Sequence, residues 1–352
     1  MTEMPLTDAT AELAMLGRAL FGPRTSLHEL LARPGTRVVL LAGSRDPNAK
    51  CTMLLMDDAG PAFAVKIPTT RTAAEVVRTE GDLLEALHAC GLGRLATTLP
   101  RTIGYLDADG LDALVTSAVT GQPMTVRYHG YRHTARRRKV RADFAAAGEW
   151  LAELQTRSAG PRVPVTLLSR SLAQIARRFH GDQAAYQTAA ALRKALAGAA
   201  AQLSTETAPR TVVHGDFWMG NLLLSGDTVI GVVDWEAGTL TGEPLRDVAR
   251  FAVSYSLYLD RHTRPGRRVA GHRGLRADGW GAGLRYAVEG QGWYPDLVRR
   301  YLTEALSRLG VSPGLWREVL LAGIAEVAAT ADHPEFARQH LRLLCDLCGV
   351  AT

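Results

Sequence analysis

The chain has 352 residues, 47% of them hydrophobic and 22% charged, so it can bury a sizeable core and is not a disordered polymer. Lys plus Arg total 41 against 35 for Asp plus Glu, a formal net charge of +6 that is modest over this length; local clusters of charge matter more than the sum. No apolar run approaches the roughly 18 residues of a membrane span, and the opening MTEMPLTDATAELAMLGRAL carries acids where a secretory leader has a basic start. A soluble, cytoplasmic protein with no membrane partner is expected.

In chain order, residues 1–34 are expected to form an N-terminal helical extension. Residues 35–118 then read as a small sheet lobe. Its strands are VVLLAG from Val38, CTMLLM from Cys51, AFAVKI from Ala62, and TIGYL and LDALVTSAV on either side of the turn Asp107-Ala108-Asp109-Gly110. One helix interrupts them in RTAAEVVRTEGDLLEALHAC, where Val76, Val77, Leu83, Leu84 and Leu87 recur at roughly helical spacing. Residues 119–352 form a larger helical lobe, rich in Ala and Leu, joined to the first through VTSAVTGQP.

One stretch breaks the helical text. Thr211 to Glu236 reads as a hairpin, with NLLL and TVIGVVDWE on either side of Ser225-Gly226-Asp227. If Leu222–Leu224 pair with Thr228–Val233, Asn221 and Asp234 end near each other, with Asp216 just upstream. Two carboxylates and an amide oxygen are the ligands that Mg²⁺ prefers, together with phosphates and water. Phosphoryl transfer needs that ion and a carboxylate to hold the attacking hydroxyl. Taken singly, Asp216 and Asp234 could be turn or cap residues, but that reading leaves their pairing with Asn221 unexplained.

His214-Gly215-Asp216 with Asn221 five residues after the Asp resembles the catalytic loop of the aminoglycoside phosphotransferase and choline kinase group, relatives of protein kinases. Asp234-Trp235-Glu236 resembles their metal-binding segment. The resemblance implies an α+β, bilobal, protein-kinase-like fold, with ATP or GTP and Mg²⁺ as cofactors and a kinase activity towards an alcohol. It makes Asp216 the residue that takes or orients the hydroxyl proton, Asn221 and Asp234 the metal ligands, His214 a support for the loop, and Asp247 in GEPLRDVARF a brace behind it. Glu236 could assist the metal through water or cap the next segment of chain.

The same resemblance assigns the nucleotide site. AFAVKI is similar to the Val-Ala-Ile-Lys element of kinases and puts Lys66 on the ATP phosphates. Its acidic partner is Glu80 by likeness of RTEGDLLEAL to the family helix, with Glu75 and Glu85 left open by periodicity. The phosphate-covering loop falls in GSRDPNAK, with backbone amides from Ser44 onwards, and the adenine hydrogen-bonds in VTSAV, where Thr116 and Val119 are the candidates. No G-x-x-x-x-G-K-S/T is present, which argues against a P-loop kinase.

The acceptor is less legible. RYHGYRHTARRRKVR (Arg127–Arg141) and RHTRPGRRVAGHRGLR (Arg261–Arg276) are strongly cationic, which would repel polycationic aminoglycosides. A neutral or anionic natural product or antibiotic fits better, in a resistance or biosynthetic role. Such runs are equally consistent with solvated faces. Trp280, Tyr286, Trp293 and Tyr294 could line a ring pocket or lie in the core. Two alternatives remain: a Ser/Thr kinase acting on a precursor peptide, and, less favoured, a nucleic-acid-binding protein suggested by Tyr128 and Tyr131 among arginines. Cys345 and Cys348 have a metal-knuckle gap but no second pair, and read as helical thiols.

Overall fold

A computed structural model of the chain describes residues 26–31, 35–41, 49–58 and 60–351. The chain divides into two compact units. Met1–Gly121 with Ile230–Gly238 form the first, and Gln122–Val229 with Thr239–Thr352 the second. Of the expected N-terminal extension, the helical turn α1 (Leu27–Leu31) is described; the rest up to residue 25 lies outside the described residues.

The first unit is an antiparallel sheet of five strands in the order β1-β2-β3-β5-β4, where β1 is Arg37–Leu41, β2 Lys50–Met56, β3 Pro61–Pro68, β4 Thr102–Ala108 and β5 Leu111–Ser117. Strand residues alternate between faces. Met53, Leu55, Phe63, Val65, Leu106, Ala113 and Val115 therefore share one face, where they form a core cluster with Leu30. The opposite parity sends Lys66 and Leu114 towards the helix α2 (Arg71–Ala89). That helix starts at Thr70, whose hydroxyl accepts from the Ala73 N–H at 3.0 Å. Its buried stripe is Ala73, Val77, Glu80, Gly81, Leu84 and Leu87. The turn between β4 and β5 is tight because Asp109 (φ 53°) and Gly110 (φ 81°) both adopt left-handed backbone, and Gly110 N–H donates to Asp107 Oδ1 at 2.9 Å.

The second unit is mainly helical. The elements that matter here are the short α3 (Met124–Tyr128), α4 (Arg137–Arg157), α5 (Leu167–Arg178), α6 (Gln183–Ala195), α7 (Ala197–Thr205), α8 (Leu245–Leu257), α9 (Ala282–Glu289), α10 (Trp293–Arg308), α11 (Trp316–Thr330) and α12 (Pro334–Leu347). α11 is buried continuously from Val319 to Ala328 and packs on α5, α8 and α12. Its approach to α8 depends on Gly323, where a Cβ would lie 2.7 Å from that of Ala249. Phe144 meets Phe251, Tyr255 and Tyr301 edge to face in the core.

Short strands interrupt the helices. β6 (Gln122–Pro123) pairs with β10 (Leu222–Ser225), β7 (Arg162–Pro164) with β8 (Thr207–Pro209), and β9 (Thr211–Val213) with β12 (Thr239–Gly242). After β10 the chain turns at Gly226 (φ 59°) into β11 (Thr228–Val232), whose last residues carry it into the first unit. Among the described residues no helix is long and apolar enough to cross a membrane.

Candidate functional site

In the first unit the chemistry gathers around Lys66 on β3. Its ammonium donates to both Glu80 carboxylate oxygens and to Asp234 Oδ1, each at 2.6 Å. Glu80 lies in the apolar stripe of α2 and is 2% exposed, whereas Glu75 and Glu85 sit on the exposed side of the helix. A buried carboxylate survives only if fully paired. Glu80 meets that condition, since Oε1 also accepts the Trp235 N–H at 3.0 Å. Burial alone would lower the Lys66 pKa, but the charges of Glu80 and Asp234 outweigh it and raise it.

Asp234 has φ 69°, a left-handed backbone that costs a residue other than glycine about 1–3 kcal/mol and persists only where its surroundings impose it. Trp235 supplies that constraint: it is fully buried and donates from Nε1 to the Val232 carbonyl at 2.9 Å. Glu236 pairs with Lys50 of β2. Glu80, Asp234 and Glu236 each offer an oxygen within 4.8 Å of the others, a set of carboxylates that suits a hard divalent cation.

Thr116 is nearly buried on β5, in register between Ala64 and Thr102. Val119 follows that strand, next to Ala118, whose N–H donates to the Ala62 carbonyl at 2.9 Å. Ser44 lies outside the described residues.

The second unit holds Asp216 and Asn221. The loop leaves β9 at His214, whose N–H donates to Asp247 Oδ2 at 2.7 Å, while Gly215 N–H donates to Oδ1 at 2.8 Å. Gly215 has φ 83°, so the turn needs glycine there. His214 is fully buried, and its Nδ1 accepts the Asp216 N–H at 3.2 Å. Phe217 anchors the loop by stacking on Trp150 with centroids 5.5 Å apart. Asn221 donates from Nδ2 to the Asp216 carbonyl at 3.0 Å, with Oδ2 at 3.4 Å, which leaves its amide oxygen as an acceptor.

Asp247 is 1% exposed. Burial raises its carboxyl above the usual range, against the opposing pull of His214 and the two backbone N–H groups. Asp247→Ala leaves those two donors unsatisfied. A loss of about 2–5 kcal/mol in unfolding free energy is expected in a urea titration; a change under about 1 kcal/mol would show that the loop holds without it.

Arg250 was not singled out from the sequence. It donates to Asp216 Oδ1 from Nε at 2.8 Å and reaches the same oxygen from Nη2 at 2.7 Å. The signal was its spacing: three residues after Asp247 on α8, it shares the face that meets the loop.

Asp216 opens on a cavity of about 150 Å³ that Arg250, Trp218, Tyr258, Phe336 and His340 also line. The four aromatics singled out from the sequence lie elsewhere. Tyr294 and Tyr286 are buried, Trp293 donates to the Gly271 carbonyl at 2.8 Å, and Trp280 meets His340 edge to face. Cys345 is buried in α12, which pushes its thiol up to about 12.

His340 is fully buried, and burial lowers its pKa to about 4, the Phe336 carbonyl opposing and Arg250 assisting. His272 is lowered to about 4 by burial as well. An unfolded imidazole titrates near 6.5, so between these values the unfolded chain binds more protons. The stability from burying neutral imidazoles is therefore complete above about pH 6.5 and is lost as pH falls towards 4. Each group accounts for about 3 kcal/mol. Urea titrations across that range should show the decline, and His340→Leu should make it shallower; a flat profile in the unmodified protein would overturn this.

A Lys–Glu–Asp cluster on a five-stranded sheet with one helix, in a chain whose helical unit carries Asp-x4-Asn, defines a protein-kinase-like phosphotransferase. The sequence matches the model of the phosphotransferase enzyme family (APH) over residues 51–286, and the chain belongs to that family. It is therefore a kinase that uses an alcohol group as acceptor.

Solved structures agree on the fold. A ternary complex of APH(2″)-IIa with streptomycin and ATP is 12% identical with a TM-score of 0.51, covering 98% of this chain and 97% of its own. A thermostable mutant of the aminoglycoside phosphotransferase APH(4)-Ia, in ternary complex with AMP-PNP and hygromycin B, is 14% identical with a TM-score of 0.53, covering 93% of this chain and 100% of its own. No curated protein matches the sequence.

Proposed function

We propose that the protein transfers the γ-phosphate of ATP to a hydroxyl of a small molecule, a neutral or anionic natural product or antibiotic. The observation that carries this reading is the Asp216 carboxylate, held by Arg250 on a loop that Asn221 ties at the Asp216 carbonyl, and facing a small cavity with aromatic walls. Concave, mostly apolar cavities with a few aimed polar groups are what small acceptors occupy.

In this reading Asp216 accepts the hydroxyl proton, and Arg250 holds the carboxylate in the orientation needed to receive it. Lys66, kept charged by Glu80, holds phosphate oxygens of the nucleotide. Thr116 and Val119 flank the base; Ser44, the other residue expected at the nucleotide, lies outside the described residues. For Mg²⁺, Asp234 offers a carboxylate in the first unit and Asn221 an amide oxygen in the second. Their oxygens suit that ion, and the Asp234 side chain, 38% exposed, is the most accessible carboxylate of its cluster. When bound, the ion neutralises charge on the phosphates.

The complexes of similar fold contain ATP or AMP-PNP together with an antibiotic, which supports ATP as donor and a compound of that size as acceptor. Incubation with radiolabelled ATP, Mg²⁺ and panels of neutral, anionic and polyamine natural products tests the reading. Label is expected in an acceptor of the first two classes; transfer confined to polyamines would overturn the acceptor assignment.

A further inference from the structure

The cavity and the two basic runs belong to the same unit, and together they say more about the acceptor. This rests on the phosphotransferase reading above. Among the described residues, Asp216 is the one carboxylate lining the cavity, and Arg250 already pairs with it. His340 is neutral, and Ser254 donates to the Phe251 carbonyl. An ammonium group entering here meets a cation and no spare anion, which disfavours polyamines.

The wall leads directly to positive charge. Tyr258 lines the cavity, and the Arg261 guanidinium lies over its ring, 5.6 Å from the centroid. From Arg261 the chain makes an ordered excursion, closed where Ala277 N–H donates to the Arg267 carbonyl at 2.9 Å and Gly266 N–H donates to that of Ala277 at 3.0 Å.

The first basic run packs against this excursion. His272 Nε2 meets the Thr134 carbonyl at 2.9 Å, a Cβ at Gly271 would lie 2.5 Å from the Ala135 carbonyl oxygen, and His129 and His262 share a 2.9 Å contact. From below, His133 Nε2 binds Asp143 Oδ2 at 2.6 Å, which fixes the turn. Two runs separate in sequence thus form one surface.

Arg264, Arg267, Arg268 and Arg273 of the second run and Arg132 and Arg136 of the first are all exposed. None of these six makes an ion pair among the described residues, while Arg276 beside them does, with Asp278. Like charges crowded together cost stability, and the fold holds them in place by the contacts above.

We propose that the acceptor is a hydroxyl-bearing polyanion. Its hydroxyl enters the cavity at Asp216, and two or more carboxylates or phosphates beyond it lie on the arginine surface that begins at Arg261. In the transfer, the acceptor oxygen forms a bond to the γ-phosphorus as the bond from that phosphorus to the β–γ bridging oxygen breaks. The proton passes to Asp216, and ADP leaves.

The test uses the full chain and three labelled or competing probes: a glutamate-rich peptide with a single serine, fructose 1,6-bisphosphate, and a single-stranded oligonucleotide of matching charge. Binding is followed by fluorescence anisotropy and competition, and transfer by radiolabelled ATP. The peptide or the bisphosphate should bind at low salt and take up label, and the label identifies which source of anion the site accepts. The triple variant Arg264→Glu, Arg267→Glu, Arg268→Glu should weaken that binding at least about tenfold with MgATP affinity unchanged. The corresponding triple change to Gln should fall between, which separates charge from misfolding.

No binding of either probe at low salt, equal binding by the charge-reversed variant, or tighter binding of the oligonucleotide would overturn the proposal. Charge-dependent binding by a protein that fails to bind MgATP would overturn the phosphotransferase reading itself, and with it the acceptor role of this surface. That failure is distinguishable because the anion affinity survives it.

Discussion

Asp216→Asn is expected to lower kcat by about 10²–10⁴ while leaving the affinity for MgATP nearly unchanged. The substitution is nearly isosteric, so its amide oxygen can still accept from Arg250, and the Asn221 bond to the backbone carbonyl of residue 216 is untouched. What it loses is the capacity to take a proton. The loop does not depend on the Asp216 side chain for its shape, because Asp247 holds His214 and Gly215 by their backbone N–H groups and Phe217 is wedged against Trp150. Thermal unfolding should therefore shift little, and calorimetric titration with MgATP should match the unmodified protein. A kcat within tenfold of the original would remove Asp216 from the role of base.

Asp234→Asn should weaken Mg²⁺-dependent nucleotide binding by about 100-fold or more, with metal-free ATP binding much less affected. Asn is the informative replacement because Asp234 sits at φ 69°, and Asn is among the few residues that tolerate left-handed backbone. Ala would add strain and blur the result. The charge is lost, the hydrogen bond from Lys66 weakens, and Glu80 keeps its two contacts to the same ammonium. Parallel titrations of ATP with and without magnesium measure the difference. An unaltered magnesium dependence would take Asp234 out of the metal site.

The sheet was readable in the sequence because its strands are short apolar runs separated by turn residues. All five appear within a residue or two of the runs that begin VVLLAG, CTMLLM, AFAVKI, TIGYL and LDALV. The kinase-like fold was readable because Asp-x4-Asn, a hairpin and Asp-Trp-Glu lie close together in the chain. Burial then separates what periodicity left open: Glu80 is inside the stripe of α2, and Glu75 and Glu85 face outwards.

The set of residues lining the cavity at Asp216 was not readable, and the reason is distance along the chain. Trp218 comes from the loop after β9, Tyr258 from the end of α8, and Phe336 and His340 from α12. Nothing local marks residues that become neighbours only through packing. Trp293 and Tyr294 look more like pocket residues in the text, yet Tyr294 is fully buried, bonded to Ser256 Oγ at 2.9 Å. Arg250 could have been found from its i, i+3 relation to Asp247, but an arginine in a helix has many ordinary uses. The Lys50–Glu236 pair joins residues 186 positions apart, and no spacing rule reaches that far.

The return of Ile230–Gly238 to the first unit has a consequence for biosynthesis. During translation the five strands and α2 emerge early, but Glu80 and Lys66 then wait for more than a hundred further residues before Asp234 and Trp235 arrive to satisfy them. Until the ribosome has passed residue 238, this half carries a buried carboxylate with an incomplete set of partners, so its final consolidation must be post-nucleation and late. A fragment ending at residue 121 should accordingly be open to proteases, and adding a synthetic peptide spanning 228–240 in trans offers a route to restoring protection.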